Sequence, residues 1–153
     1  MTIIAHDETC ELCSTPGGDL IWEDSLCRVV SVSDPDYPGF CRVILKRHVA
    51  EMTDLVTAEQ THLMRVVLAV EAALRGLCRP DKINLASLGN VTPHLHWHVI
   101  PRWRDDKHFP NPVWGQAVRA ATPARVRVEA SQFQAGVAAA LAHLIELQGT
   151  ATR

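Results

Sequence analysis

Short apolar runs separated by turn residues occupy the first third of the chain, and helical periodicity takes over afterwards. Pro16-Gly17-Gly18-Asp19 is a turn signal that leads into a first strand near Leu20 to Glu23. Leu26 to Val32 alternates and is rich in valine, which predicts a second strand. Asp34-Pro35-Asp36-Tyr37-Pro38-Gly39 must be a loop, since two prolines and a glycine break any ladder. Phe40 to Lys46 predicts a third strand. Thr57 and Gln60 have capping-box spacing, and Leu63, Met64, Val66, Val67, Val70, Leu74 and Leu77 then form one helical stripe. Pro80 closes that helical region. Lys82 to Leu88 and His94 to Pro101 read as two more strands, joined by Gly89-Asn90-Val91-Thr92-Pro93. Trp103 to Arg127 is weakly patterned and reads as a mostly irregular segment that contacts the site or a partner subunit. Ser131 and Gln134 repeat the capping-box spacing before Phe133, Val137, Leu141 and Leu144 on a final helix. Strands, a long helix, more strands and a late helix predict an α+β domain, an antiparallel sheet with helices packed on it.

Bulk properties narrow the classes further. A chain of 153 residues suits one compact domain, and its 47% apolar and 21% charged residues are ordinary globular values. The net charge of −2, with scattered Lys and Arg, argues against nucleic acid as a partner. No apolar run approaches the ~20 residues of a membrane span. Met1 to Glu8 lacks the basic start and apolar stretch of a secretory signal. Five cysteines without disulfide-framework spacing point to a reducing compartment, so a cytoplasmic protein is expected.

The sharpest chemical signal is His94-Leu95-His96-Trp97-His98-Val99-Ile100-Pro101-Arg102. In extended backbone alternate side chains share a face, with their Cα atoms about 6.5–7 Å apart. His94, His96 and His98 would therefore line one face while Leu95, Trp97 and Val99 enter a core. Three imidazoles in strict alternation are poor packing residues, because each buried polar ring needs a partner. Two chemistries fit. The rings could ligate a metal, or one could attack phosphorus while its neighbours stabilise charge. No carboxylate interrupts the row as a metal ligand, Asp105 and Asp106 being the nearest downstream.

The surrounding sequence favours nucleophilic chemistry. His94 to Ile100 resembles the signature of the histidine triad (HIT) family, three histidines alternating with apolar residues and followed by two more apolar positions. Val43-Ile44-Leu45-Lys46-Arg47-His48 resembles the family's apolar strand ending in a basic-His turn. Asp54-Leu55 with Thr57-Ala58-Glu59-Gln60 resembles its helix entry, and Lys82-Ile83-Asn84 the strand before the triad. The likeness covers residues 8–115, with residues 116–153 a C-terminal extension whose helix packs on the same domain.

The resemblance implies a HIT-like fold and a homodimer that extends one sheet across two subunits. It implies an enzyme, a nucleotidyl hydrolase or transferase acting at the α-phosphate of dinucleoside polyphosphates or nucleoside phosphoramidates. His96 would form a covalent nucleotidyl-histidine that releases a nucleoside monophosphate such as AMP. His98 would stabilise charge on the phosphoryl oxygens, Asn90 would reach the phosphate, and Thr92 would offer a hydroxyl near the leaving group. For Asn90 a simple turn role after Gly89 stands beside that reading. Asp34, in the loop after the second strand, is either a ribose ligand or a turn starter before Pro35. Trp103, Trp114 and His108 follow the triad, where an aromatic would cover a nucleobase or pack at a dimer interface.

Cys10-Glu11-Leu12-Cys13 is ambiguous between zinc, redox chemistry and chance when taken alone. Some bacterial relatives resemble this chain here, which implies a structural zinc on Cys10, Cys13, His48 and His94. Magnesium would enter only with a polyphosphate substrate. Cys27, Cys41 and Cys78 read as small core residues. The alternative to an enzyme is a nucleotide-binding regulatory or scaffold dimer with little or no turnover.

Overall fold

The computed structural model describes the backbone of residues 6–150 and the side chains of residues 6–144. The first five residues, part of the stretch read as lacking a signal, and the last three lie outside the described residues. Nine elements follow in order: helix α1 (Glu11–Ser14), strands β1 (Asp19–Glu23), β2 (Cys27–Ser31) and β3 (Cys41–Leu45), a 3-10 turn (Met52–Asp54), helix α2 (Thr57–Cys78), strands β4 (Lys82–Ala86) and β5 (His96–Arg102), and helix α3 (Ala130–Thr150). The strands form one antiparallel sheet in the order β1-β2-β3-β5-β4, the α+β architecture expected.

Strand alternation divides the sheet into two faces. Val29, Val43, Leu45, Ile83, Leu95 and Val99 pack with Leu63, Val66, Val67, Val70 and Leu74 of α2 and Phe133 and Val137 of α3 in the main core. Apolar burial is the dominant stabilising term for this layer. On the other face Cys10 and Leu12 pack on Val30 and Ile44, so the N-terminal segment lies across the sheet. Gly17 makes that approach feasible. Its φ of +79° is a left-handed conformation, and a Cβ there would sit 2.8 Å from Ile44 Cδ1.

Three local expectations need correction. The triad strand begins at His96, not His94; His94 sits in a bend, although Leu45 N–H still donates to the Leu95 carbonyl and Leu95 N–H to that of Val49. Helix α2 begins one residue after Val56, so Thr57 is already helical and does not cap. The Glu59 carboxylate accepts Val56 N–H instead, and Gln60 Nε2 donates to the carbonyls of Met52 and Leu55. Likewise α3 starts before Ser131, whose predicted capping role is lost inside the first turn. At β5 the Val49 carbonyl, and at α2 the side chains of Glu59 and Gln60, supply the terminal bonds instead. Helix α2 ends as expected before Pro80, with Arg79 in the left-handed region at φ 46°.

Candidate active site and metal centre

Register determines which residues meet on the face opposite α2. His96 lies beside Ile44, and His98 lies between Arg42 of β3 and Ala86 of β4. The His96 and His98 rings meet edge to face, 4.8 Å between centroids. Both are buried. His96 Nδ1 lies 2.5 Å from the His94 carbonyl oxygen, which only accepts, so the proton resides on Nδ1 and Nε2 carries the lone pair. Ser87 Oγ donates to the His96 carbonyl, pinning the strand from the β4 side.

His98 is enclosed by aromatic rings, with Phe40 at 5.7 Å and Trp114 at 4.8 Å between centroids. Burial, aided by His96 and Arg42, pulls its pKa down to about 4. It is therefore neutral at neutral pH. Its Nδ1 is buried without a hydrogen-bond partner, an atom that a substrate oxygen could satisfy. Trp114 itself is 52% exposed and leans over the site from the irregular segment that follows β5. That segment is anchored by Asp106, which is fully buried and accepts from Arg102 Nε and Nη2 and from the N–H groups of Trp103, His108 and Phe109. Asp105 instead pairs with Arg125 on the surface. Neither carboxylate joins His96 or His98, and among the described residues the one group that could hold a metal draws only His94 from the row.

The second cluster lies at the mouth of the same strand. Cys10 caps α1 and Cys13 lies within it, His48 follows β3, and His94 precedes β5. Cys10 Sγ and Cys13 Sγ each lie 3.4 Å from His94 Nδ1, and Cys13 Sγ lies 3.4 Å from His48 Nδ1. All four ligand atoms fall within 4.8 Å of one another, the one such group among the described residues. A tetrahedral zinc has an N···S edge of about 3.5 Å, so this donor set fits the ion closely. His94 Nε2 donates to the Leu45 carbonyl at 2.7 Å, which turns the Nδ1 lone pair to the thiols. Burial also holds the His94 ring below its ordinary pKa, in the neutral form that ligates. These four residues can hold a metal ion. No second group offers a seat for magnesium among the described residues.

The phosphate-loop expectations are less well supported. Asn90 is exposed and Thr92 half-buried in the bend before β5, and neither side chain has a hydrogen-bond partner among the described residues. The left-handed residue of this loop is Gly89, not Asn90, so Asn90 is not needed for the turn conformation proposed for it. Asp34 is a turn starter, its Oδ1 accepting Asp36 N–H. Cys27 and Cys41 are wholly buried, and burial pushes both thiols up. Sequence reading did not single out Arg42, Phe40 or Ser87. Each sits in an apolar strand or an unmarked loop, and only the cross-strand register brings it to the triad.

Comparison with known proteins agrees with this geometry. Residues 17–105 match the HIT domain model, more than half of the chain, which therefore belongs to the histidine triad family. It is 31% identical over 90 residues to the AP-4-A phosphorylase of Mycobacterium tuberculosis, covering 55% of this chain and 46% of that protein. It is 27% identical over 95 residues to the asymmetrical bis(5'-nucleosyl)-tetraphosphatase of Schizosaccharomyces pombe, covering 59% of this chain and 52% of that one. The chain thus spans about half the length of these curated relatives. A histidine triad protein from Bradyrhizobium japonicum has the same fold, with a TM-score of 0.62 and 31% identity over 84% of this chain and 90% of that one.

Proposed function

We propose that this chain is a nucleotidyl hydrolase or transferase that acts at the α-phosphate of dinucleoside polyphosphates or nucleoside phosphoramidates. The observation that carries the reading is the His96 ring, whose Nδ1–H is held by the His94 carbonyl so that Nε2 is a ready nucleophile. Its enzyme relatives are named for reactions of dinucleoside polyphosphates, which agrees with that substrate class.

In the first step His96 Nε2 bonds to the α-phosphorus as the bond from phosphorus to the leaving group breaks. Positive charge then grows on the ring, and the Nδ1–H bond to the His94 carbonyl strengthens with it. His98 presents a neutral N–H to the equatorial oxygens, where donors aimed at developing charge contribute most. Asn90 and Thr92 approach the phosphate and leaving group from the loop before β5. In the second step water attacks phosphorus, the P–N bond breaks, and a nucleoside monophosphate leaves; another acceptor in place of water would carry the nucleotidyl group away instead. A groove of about 590 Å³ along β4, lined by both charged and apolar residues, Lys82, Asn84, Ala86, Ile100, Val113 and Trp114 among them, has the size to take a nucleoside.

A zinc ion on Cys10, Cys13, His48 and His94 would act structurally, closing all four positions and offering none to substrate. The chain works as a cytoplasmic homodimer in this reading. The test is product analysis: with diadenosine tetraphosphate the unaltered protein forms AMP, and His96→Ala binds the compound without cleaving it. Near-normal kcat in His96→Ala would remove the nucleophile assignment.

A further inference from the structure

We propose that Arg42 is the phosphate-binding cation of this site, a role that rests on the nucleotide reading above and deepens it. The face of the sheet that carries the triad also carries three arginines, and two make three or more hydrogen bonds each. Arg28 donates to the carbonyls of Leu12, Thr15 and Pro16 and clamps the N-terminal segment. Arg102 is bound to Asp106, Asn84 and the Asn111 carbonyl. Arg42 makes a single hydrogen bond, from Nη1 to the Gly17 carbonyl at 3.0 Å. Its Nε is buried with no acceptor, and among the described residues no carboxylate pairs with it. A guanidinium offers five donors and a fixed charge, so this one lacks both acceptors and a counter-charge among the described residues.

Position gives that deficit a meaning. Arg42 is the cross-strand partner of His98, one row from the nucleophile, and its charge is felt by the His98 ring. The mechanism needs His96 neutral to attack, and His98 is buried and neutral beside it. A polyphosphate brings at least one negative charge to the α-phosphorus and more beyond it. Neither histidine balances that charge, whereas Arg42 does so without needing a proton. Guanidinium also binds two phosphate oxygens at once, which a single imidazole N–H does not. Its tie to Gly17 holds one nitrogen, and Nε and Nη2 have no acceptor among the described residues.

Three variants separate charge from structure. Arg42→Gln keeps a donor for the Gly17 carbonyl and removes the charge; Arg42→Met removes both; Arg42→Lys keeps the charge. Binding of AMP and of adenosine, measured by titration calorimetry on chains of matched melting behaviour, is the readout. The unaltered chain should prefer AMP. Gln and Met should each weaken AMP roughly 10- to 100-fold while leaving adenosine unchanged, and Lys should retain most of the preference. With diadenosine tetraphosphate, kcat/KM should follow the same order. If Gln restores AMP binding and Lys does not, Arg42 serves only to hold Gly17, and the assignment is overturned. An unchanged AMP preference in a folded Met or Gln variant overturns it equally. Failure of the unaltered chain to bind AMP or cleave the dinucleotide is a different result, which overturns the nucleotide reading and this assignment with it.

Discussion

The site works through the hydrogen bond that each histidine makes or lacks. His94 uses its ring for the thiol cluster and its carbonyl for His96, so one residue connects the two centres. His98, neutral and surrounded by aromatic rings, makes stability depend on pH. Its folded pKa lies near 4, below the ordinary value of 6.5, so the unfolded chain gains the proton first as pH falls. The sign follows from linkage: His98 costs nothing above pH 6.5, and stability is lost progressively from there down to about pH 4. The loss should be on the order of 2–3 kcal/mol by pH 4.5. Thermal melting at pH 7 and pH 4.5 checks this, and His98→Phe should show a drop smaller by roughly 5–10 °C. Asp106 behaves oppositely in charge. Burial pushes its carboxyl up, but Arg102 and the N–H groups of Phe109, Trp103 and His108 prevail and bring it to about 2. Its contribution is present above about pH 3.8 and is lost below that. Asp106→Asn leaves Arg102 buried beside a neutral group and should cost about 3–5 kcal/mol. Chemical denaturation at pH 7 measures that cost; a change under 1 kcal/mol would show that Arg102 finds its counter-charge elsewhere.

At the scale of elements, β3, β5 and the N-terminal segment together make both centres. The thiol cluster draws on α1 and on the residues that end β3 and begin β5, so a bound metal would tie three separate parts of the chain to the nucleophile's backbone. The purified protein should carry about one zinc per subunit by elemental analysis. Cys10→Ser with Cys13→Ser should lose the metal and about 6–10 °C of melting temperature, equivalent to a ligand present at some hundredfold its Kd. Zinc retained by that double variant would place the ion elsewhere and return His94 to the phosphate pocket. The triad is legible in the sequence because strand alternation is a local property, and the His94–His98 spacing needs no partner to be read. The five strands and two long helices are legible for the same reason. Arg42 is not, since an arginine in an apolar strand acquires its role only when β3 pairs with β5 in one particular register. The bend at His94 is also settled by a contact distant in sequence, the bond from Leu95 N–H to the Val49 carbonyl. Trp114 is visible as an aromatic after the triad, but its place over His98 depends on the Asp106 anchor.

On the scale of the molecule, the sheet has two edges. β1 is irregular, its register shifting between Leu20 and Trp22, and such bulges discourage edge pairing. β4 pairs with β5 over five residues without a shift and leaves its outer backbone groups in regular array. A second copy of the chain adding to β4 would continue the sheet beside the groove under Trp114, which accords with the proposed homodimer. Light scattering at micromolar concentration should return twice the chain mass, and a proline at the β4 position whose N–H points away from β5 should give a folded monomer because it withdraws an edge donor. A monomeric unaltered chain would contradict the pairing. The central claim concerns His96 and is met most directly by mass spectrometry of an early-quenched reaction. Mixed with diadenosine tetraphosphate and stopped within the first turnovers, the protein should gain the mass of one adenylyl group, and peptide mapping should find it on His96. Turnover without any adduct, or an adduct on His98 or another residue, would contradict the account.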